Sequence, residues 1–188
     1  MVTGGVNASV LAGNSITIEA GGSIDTTLAG GASGNITLTA PILSVAAGGV
    51  LNAAAVGGGT AGTVSLIATK TDGGTAQIFV AGEIRGGDVN LLATSTAAPL
   101  TIIASLPTAN ASVSVNGGHI ISSGALTATA IASTAAASAN LPIGVVVTNV
   151  NASVDVIGNA VIQAASADLS SVATADTQIS TKSLVPAN

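Results

Sequence analysis

Cysteine, tryptophan and tyrosine are absent from this chain of 188 residues, and phenylalanine occurs once, at Phe79. Without cysteine there is no disulfide framework and no thiolate metal site. Without aromatic platforms nothing is available on which nucleic acid bases, or sugar rings, could stack in series. Charge is scarce as well. Lys70, Arg85 and Lys182 are the only basic residues, and charged residues make up 6% of the chain, against about 25% in an average globular domain. Three cations cannot neutralise a row of phosphates, so no nucleic acid partner is expected. Long apolar runs are missing too. A membrane span needs about 20 consecutive apolar residues, and here Thr, Ser, Gly or Asn interrupts nearly every stretch. The mean hydropathy of +0.74 therefore implies no membrane span. Met1-Val2-Thr3-Gly4-Gly5-Val6 has neither the basic region nor the apolar block of a secretory signal. The chain reads as an internal piece of a longer one.

What is present is small and aliphatic. Hydrophobic residues make up 48% of the chain and Gly occurs 24 times. Most of the apolar share is Ala, Val, Ile and Leu, which suits a narrow core of stacked small side chains better than a wide globular one. The length suits a single unit.

The dominant pattern is alternation with period two. Ser15–Ala20, Asn35–Ala40, Thr63–Ala68, Asp88–Ala93 and Ala125–Ala130 each place aliphatics on one face and Thr, Ser or Asn on the other, as a half-buried strand requires. Thr134–Ala139, rich in Ala, is the one place where a helical turn competes. Gly13, Gly34, Gly62, Gly87 and Gly124 precede or nearly precede the five copies, whose starts are spaced 20, 28, 25 and 37 residues apart. A weaker sixth copy begins at Asp168. A second strand type covers Glu83–Gly87, His119–Gly124 and Ala160–Ala165. Further strands fill Ile42–Val45, Ala76–Val80, Leu100–Ala104 and Ala111–Val115.

Repeats of this length point to a solenoid. Two or three short strands per rung, with Gly at the corners, imply an all-β, right-handed parallel β-helix with irregular rungs. Residues 1–188 read as one β-solenoid segment of a longer chain. Compact rungs are expected over 1–98, and wider rungs or projecting arms over 99–188. Asn140-Leu141-Pro142 and Leu106-Pro107-Thr108 read as breaks, since Pro cannot sit inside a ladder. Ile16, Ile36, Val64, Val89 and Leu126 are expected to stack inward along one wall, with Ile18, Leu38, Leu66, Leu91 and Ala128 beside them.

Candidate chemistry is thin. His119 is the only imidazole, and Asp155 or Asp168 could complete a Ser/His/Asp trio on paper. No Gly-x-Ser-x-Gly elbow presents a nucleophile, so His119 reads as an exposed polar residue. Glu83 and Asp88 are the closest acidic pair in sequence, with Arg85 between them. A glycoside-cleaving pair needs carboxyl groups roughly 5 to 9 Å apart. Because other copies carry Ser, Asn, Thr or Ala at the place of Asp88, these residues read as a solvated face with a local ion pair. Thr71-Asp72-Gly73-Gly74-Thr75 occurs once and lacks the nine-residue calcium period, so it reads as a turn. Thr17, Thr37 and Thr127 fall at equivalent places, but Ser65 and Asn90 break the array an ice-adsorbing face would need. The Asn-x-Ser/Thr matches at Asn7, Asn35, Asn110 and Asn151 are read as chance. No catalytic, cofactor-binding or metal-binding residue is assigned, and no cofactor.

The stretch Ile78–Ala93, with its Gly86-Gly87 corner and Asp88-Val89 opening an alternating strand that ends in Ala, resembles the repeats of large bacterial secreted adhesins: filamentous-haemagglutinin-like exoproteins and autotransporter passengers. Gly34–Ala40 has the same shape. Ala139–Val150 and Ala152–Ala160 resemble the longer repeats of giant surface proteins. The likeness covers most of residues 13 to 175. It implies export to the cell surface or beyond, a right-handed parallel β-helix, and a rod that projects binding modules. It lends no catalytic residue.

Three functions compete: a non-enzymatic stalk or filament segment of a cell-surface or secreted adhesin-like protein, an adhesive module contacting a surface receptor or sister filament, and a polysaccharide-active β-helix enzyme. The scarcity of Lys and Arg weighs against the enzyme. The expected partners are flanking segments or further copies stacked end to end, head to tail, because no capping element is evident at either end.

Overall fold

Alternating Ile, Val, Thr and Ser favour extended backbone, and here they form short strands wound into successive turns. The structure is a computed structural model that describes residues 5–98, 108–141 and 148–181. The first turn holds β1 (Ala8–Leu11), β2 (Ser15–Ile18) and β3 (Ser23–Asp25). The second holds β4 (Ile36–Thr39), β5 (Ile42–Val45) and β6 (Val50–Asn52), and the third β7 (Val64–Lys70), β8 (Gly74–Val80) and β9 (Glu83–Gly86). The fourth holds β10 (Val89–Ala97), β11 (Thr108–Asn116) and β12 (His119–Ser122). The fifth holds β13 (Ala125–Leu141), β14 (Asn149–Ile157) and β15 (Val161–Gln163), and β16 (Ser166–Thr181) opens a sixth.

Every strand pairs in parallel with its counterpart one turn away. The first sheet runs β1-β4-β7-β10-β13-β16, the second β2-β5-β8-β11-β14 and the third β3-β6-β9-β12-β15. The chain is a right-handed parallel β-helix with three sheets and irregular rungs. Its right-handed winding is the usual sense for crossovers between parallel strands.

Ile36, Val64, Val89 and Leu126 align across the first sheet, and Leu38, Leu66, Leu91 and Ala128 align beside them. All eight are buried. Ile16 and Ile18 belong elsewhere. They pair with Leu43 and Val45 in the second sheet, and Ala8 and Val10 hold their expected places. Alternation reports which face is buried but not which of three sheets a strand joins. Thr17 leaves the Thr series for the same reason. The sixth copy begins at Ser166, opposite Ala125, and not at Asp168. The offset is two residues, so its inward face is unchanged. Asn140 and Leu141 lie within β13 rather than in a turn, and Thr134–Ala139 is extended as well. Leu100–Ala104, Leu106-Pro107 and Pro142 lie outside the described residues.

The turns shorten from 28 residues to 25 between Val64 and Val89 and then lengthen. One turn separates Asn7 from Asn35 and Asn35 from Thr63 by 28 residues, Asp88 from Ala125 by 37, and Asn110 from Asn151 by 41. The extra residues also move. In the first two turns they occupy the corner between third and first sheets, residues 26–35 and 53–63. These corners stack through the bridges Ala29↔Val56 and Ala32↔Thr60. From the third turn onward that corner shrinks to Gly87-Asp88, Ser123-Gly124 and Ala164-Ala165. The first and second sheets widen instead, to strands of 9 residues in β10 and β11 and 17 in β13. The described residues of the C-terminal half thus lie in wider rungs.

The core changes with the shape. Leu38, Leu43, Leu51, Leu66, Ile78 and Ile84 fill the second and third turns. The added width is lined by Ala93, Ala97, Ala109, Ala111, Ala130 and Ala132. Cα atoms of β10 and β11 come within 8 Å of one another. Short side chains permit that approach. The corner between second and third sheets is tight throughout. A Cβ on Gly82 would press on the carbonyl oxygens of Ala46 and Gly49, and one on Gly118 would lie 2.7 Å from the Val80 carbonyl oxygen.

Candidate functional site

The period-two pattern that buries Leu51, Ile84 and Ile120, and half-buries Ile24, turns their neighbours outward on the third sheet. Two outward columns result. One holds Ser23, Val50, Glu83, His119 and Val161, and the other Asp25, Asn52, Arg85, Ile121 and Gln163. This face carries more titratable groups than either other sheet, and it is the strongest candidate for a site.

Its groups are engaged with one another. Arg85 Nε donates to Glu83 Oε1 in an exposed ion pair. Asn52 Nδ2 donates to Asp25 Oδ2 at 3.3 Å across one turn. The Asp25 Oδ1 accepts from the Thr27 backbone N–H at 2.9 Å and from Thr27 Oγ1 at 2.7 Å. The backbone N–H of Thr27 holds the Asp25 carboxyl below its ordinary value, against an opposing desolvation, and the Thr27 hydroxyl and Asn52 amide assist. His119 is exposed and stands one strand on from Glu83.

The trio drawn from sequence does not assemble. His119 is on the third sheet, Asp155 on the second and Asp168 on the first. Glu83 and Asp88 have separate tasks. Glu83 pairs with Arg85, while Asp88 Oδ1 accepts the Ala125 backbone N–H of the next turn at 2.9 Å. That bond is one member of a corner series. Asn7 Oδ1 accepts from Asn35 N–H, and Asn35 Oδ1 accepts from Thr63 N–H, each at 2.8 Å. The Asn-x-Ser/Thr positions therefore have a structural use. Asn7 and Asn35 stack at this corner, and Asn151 Nδ2 donates to Asn110 Oδ1 at 2.9 Å on the second sheet. Reading them as chance matches missed this use; the signal that could have found it is the recurrence of Asn one turn on, 28 residues from Asn7 to Asn35 and 41 from Asn110 to Asn151.

Buried hydroxyls are spent on backbone. Thr26 Oγ1 donates to the Gly34 carbonyl at 2.6 Å, Ser33 Oγ to Ala54 at 2.8 Å and Ser95 Oγ to Gly74 at 2.9 Å. Thr134 Oγ1 alone is buried without a partner among the described residues. Thr71-Asp72-Gly73 forms the corner between β7 and β8, a turn as its sequence suggests. Thr37 and Thr127 point outward on the first sheet, in a column with Ser65, Asn90 and Asp168.

Among the described residues, no three His, Asp or Glu side chains gather as a metal site, and no helix is long and apolar enough to cross a membrane. Comparison with known proteins found no matching family model, no matching curated protein and no matching solved structure.

Proposed function

We propose that this chain is a structural segment of a stalk or filament in a bacterial cell-surface or secreted adhesin-like protein, with no chemistry of its own. One observation carries the reading. Each turn's backbone is bonded to the next in three parallel ladders, and His119, Asp155 and Asp168 stand on three different sheets. Such a solenoid lengthens without thickening its core, because each repeat contacts only its neighbours. Length and stiffness are its useful outputs.

Removing residues 36–63 tests this. Ile36 and Val64 are register partners, so the deletion takes out one turn and sets Val64 against Ala8. The expected product folds cooperatively and is shorter by one strand spacing of ~4.8 Å, read by circular dichroism and solution X-ray scattering. Loss of the folded state would contradict a modular scaffold.

An adhesive module is the second reading. Val161 on the third sheet and Val172 on the first are exposed and outward on the last described turns, and exposed aliphatics favour a contact surface.

A further inference from the structure

Asn116 is the only asparagine of the chain that is followed by glycine. A glycine nitrogen has no side chain beside it to hinder approach, and its backbone turns freely. The Gly117 nitrogen can therefore attack the side-chain carbonyl carbon of Asn116, Cγ. The N–Cγ bond forms, the Cγ–NH2 bond breaks, and ammonia leaves with the proton of the attacking amide. Water then opens the succinimide ring at either of its carbonyl carbons and yields aspartate or isoaspartate. Water is the only co-reactant, and nothing is oxidised or reduced.

The fold puts this pair at the corner between β11 and β12, with Asn116 exposed to solvent. The next turn holds both reacting groups. Asn116 and Ile157 are register partners, and the Gly117 N–H donates to the Ile157 carbonyl at 3.1 Å. A Cβ on Gly158 would lie 2.8 Å from Asn116 Oδ1 and 3.1 Å from the Gly117 nitrogen. The backbone of the fifth turn thus fills the space over the pair. Gly117 and Gly158 have φ of 70° and 68°, so the two corners stack in one conformation. While they are stacked, the nitrogen that would attack is committed to a hydrogen bond.

We infer that Asn116-Gly117 is a deamidation site gated by the stacking of the fifth turn on the fourth. It is closed while Ile157-Gly158 lies on it, and it reacts when that corner lifts. The product does not restack as before. Isoaspartate routes the main chain through the former side chain and adds a methylene between β11 and Gly117. Either product places a carboxylate at position 116, diagonal across the ladder from Asp155, which stands opposite Ser114. Like charges so placed oppose the pairing. A transient opening of the rod becomes a permanent mark. This inference goes beyond the scaffold reading and does not depend on it.

Hydrogen exchange and deamidation both require release of the Gly117 N–H, so the two measured together test the gate. The 188-residue chain is aged at neutral pH, folded in buffer and unfolded in urea, and conversion at Asn116 is followed by mass spectrometry of peptic peptides. The folded chain should react at least about tenfold more slowly, because reaction waits on local opening. That protection should equal or exceed the protection of the Gly117 amide against hydrogen exchange. Gly158→Ala crowds Asn116 Oδ1 and should raise the rate in the folded chain toward that in urea, with circular dichroism verifying the fold. Where that variant does not fold, the two protection factors of the native chain decide. Equal rates in buffer and urea, or deamidation less protected than exchange, would overturn the gate. No conversion in urea would overturn the site itself. Chain carrying isoaspartate at 116 should lose exchange protection at Gly117 and Val161, whose N–H groups bond across this corner. Full recovery of that protection on refolding would overturn the permanent mark.

Discussion

The N-terminal and C-terminal turns solve the same problem with different side chains. The second and third turns are small in perimeter and filled by Ile and Leu, with Leu66 and Ile78 wholly enclosed. The fourth and fifth have a longer perimeter, yet their added core is Ala. A longer turn does not enclose a thicker core here. The first and second sheets come close to each other, and the width holds mostly Ala side chains, with Ser95 and Thr134 buried among them. Perimeter and core thickness are thus independent in this fold. Residues that leave the corner between third and first sheets reappear as breadth in the first and second.

Substitutions that reverse each filling sharpen the contrast. Leu66→Ala should have the largest effect, a loss of about 2–5 kcal/mol from lost transfer energy and an unfilled cavity, measured by chemical denaturation. Ala130→Leu should cost about 1–3 kcal/mol, because added methylenes must push two closely set sheets apart. If Ala130→Leu were neutral or stabilising, the wide turns would be loosely packed and the contrast would fail.

A smaller effect is expected at the corner that shrinks. Asp88→Ala leaves the Ala125 N–H without its carboxylate, at a cost of about 1 kcal/mol or less in this exposed place. Asp88→Asn keeps the acceptor and should recover most of the loss, as the natural Asn at positions 7 and 35 implies. The smallest effect concerns pH. The carboxyl of Asp25 is held below its ordinary value in the folded chain. Its contribution is therefore present above the usual carboxylate range and fades as pH falls through the lowered folded value. The difference in melting temperature between the native chain and Asp25→Asn should shrink on acidification. A difference that grew at low pH would contradict this assignment.

Much of this architecture was legible in residue patterns, for definite reasons. Asn35–Ala40, Thr63–Ala68 and Asp88–Ala93 share sheet and register because burial of one face admits only even offsets. That same tolerance hid the true start of the last copy at Ser166. Ser15–Ile18 was misplaced because a second-sheet strand carries the same alternation as a first-sheet strand. The Asn140-Leu141-Pro142 break falls too early because a residue preceding proline favours extended backbone, and Asn140 and Leu141 are still in β13. The candidate site was less legible. His119, Asp155 and Asp168 are compatible in type but sit on three sheets. The bonds that do form, from Asp25 to Asn52 and from Asp88 to Ala125, join residues 27 and 37 apart in sequence, and only the rung register reveals them.

The central claim is a continuous stack in which each first-sheet strand lies one spacing beyond the last. Ser9 and Asp168 point outward in one column on β1 and β16, the outermost strands of that sheet. Spin labels at these positions, read by pulsed electron–electron double resonance, should give a narrow distribution centred about 24 Å, five strand spacings of ~4.8 Å. A broad distribution, or one centred beyond about 35 Å and so more than two spacings too long, would contradict the stack.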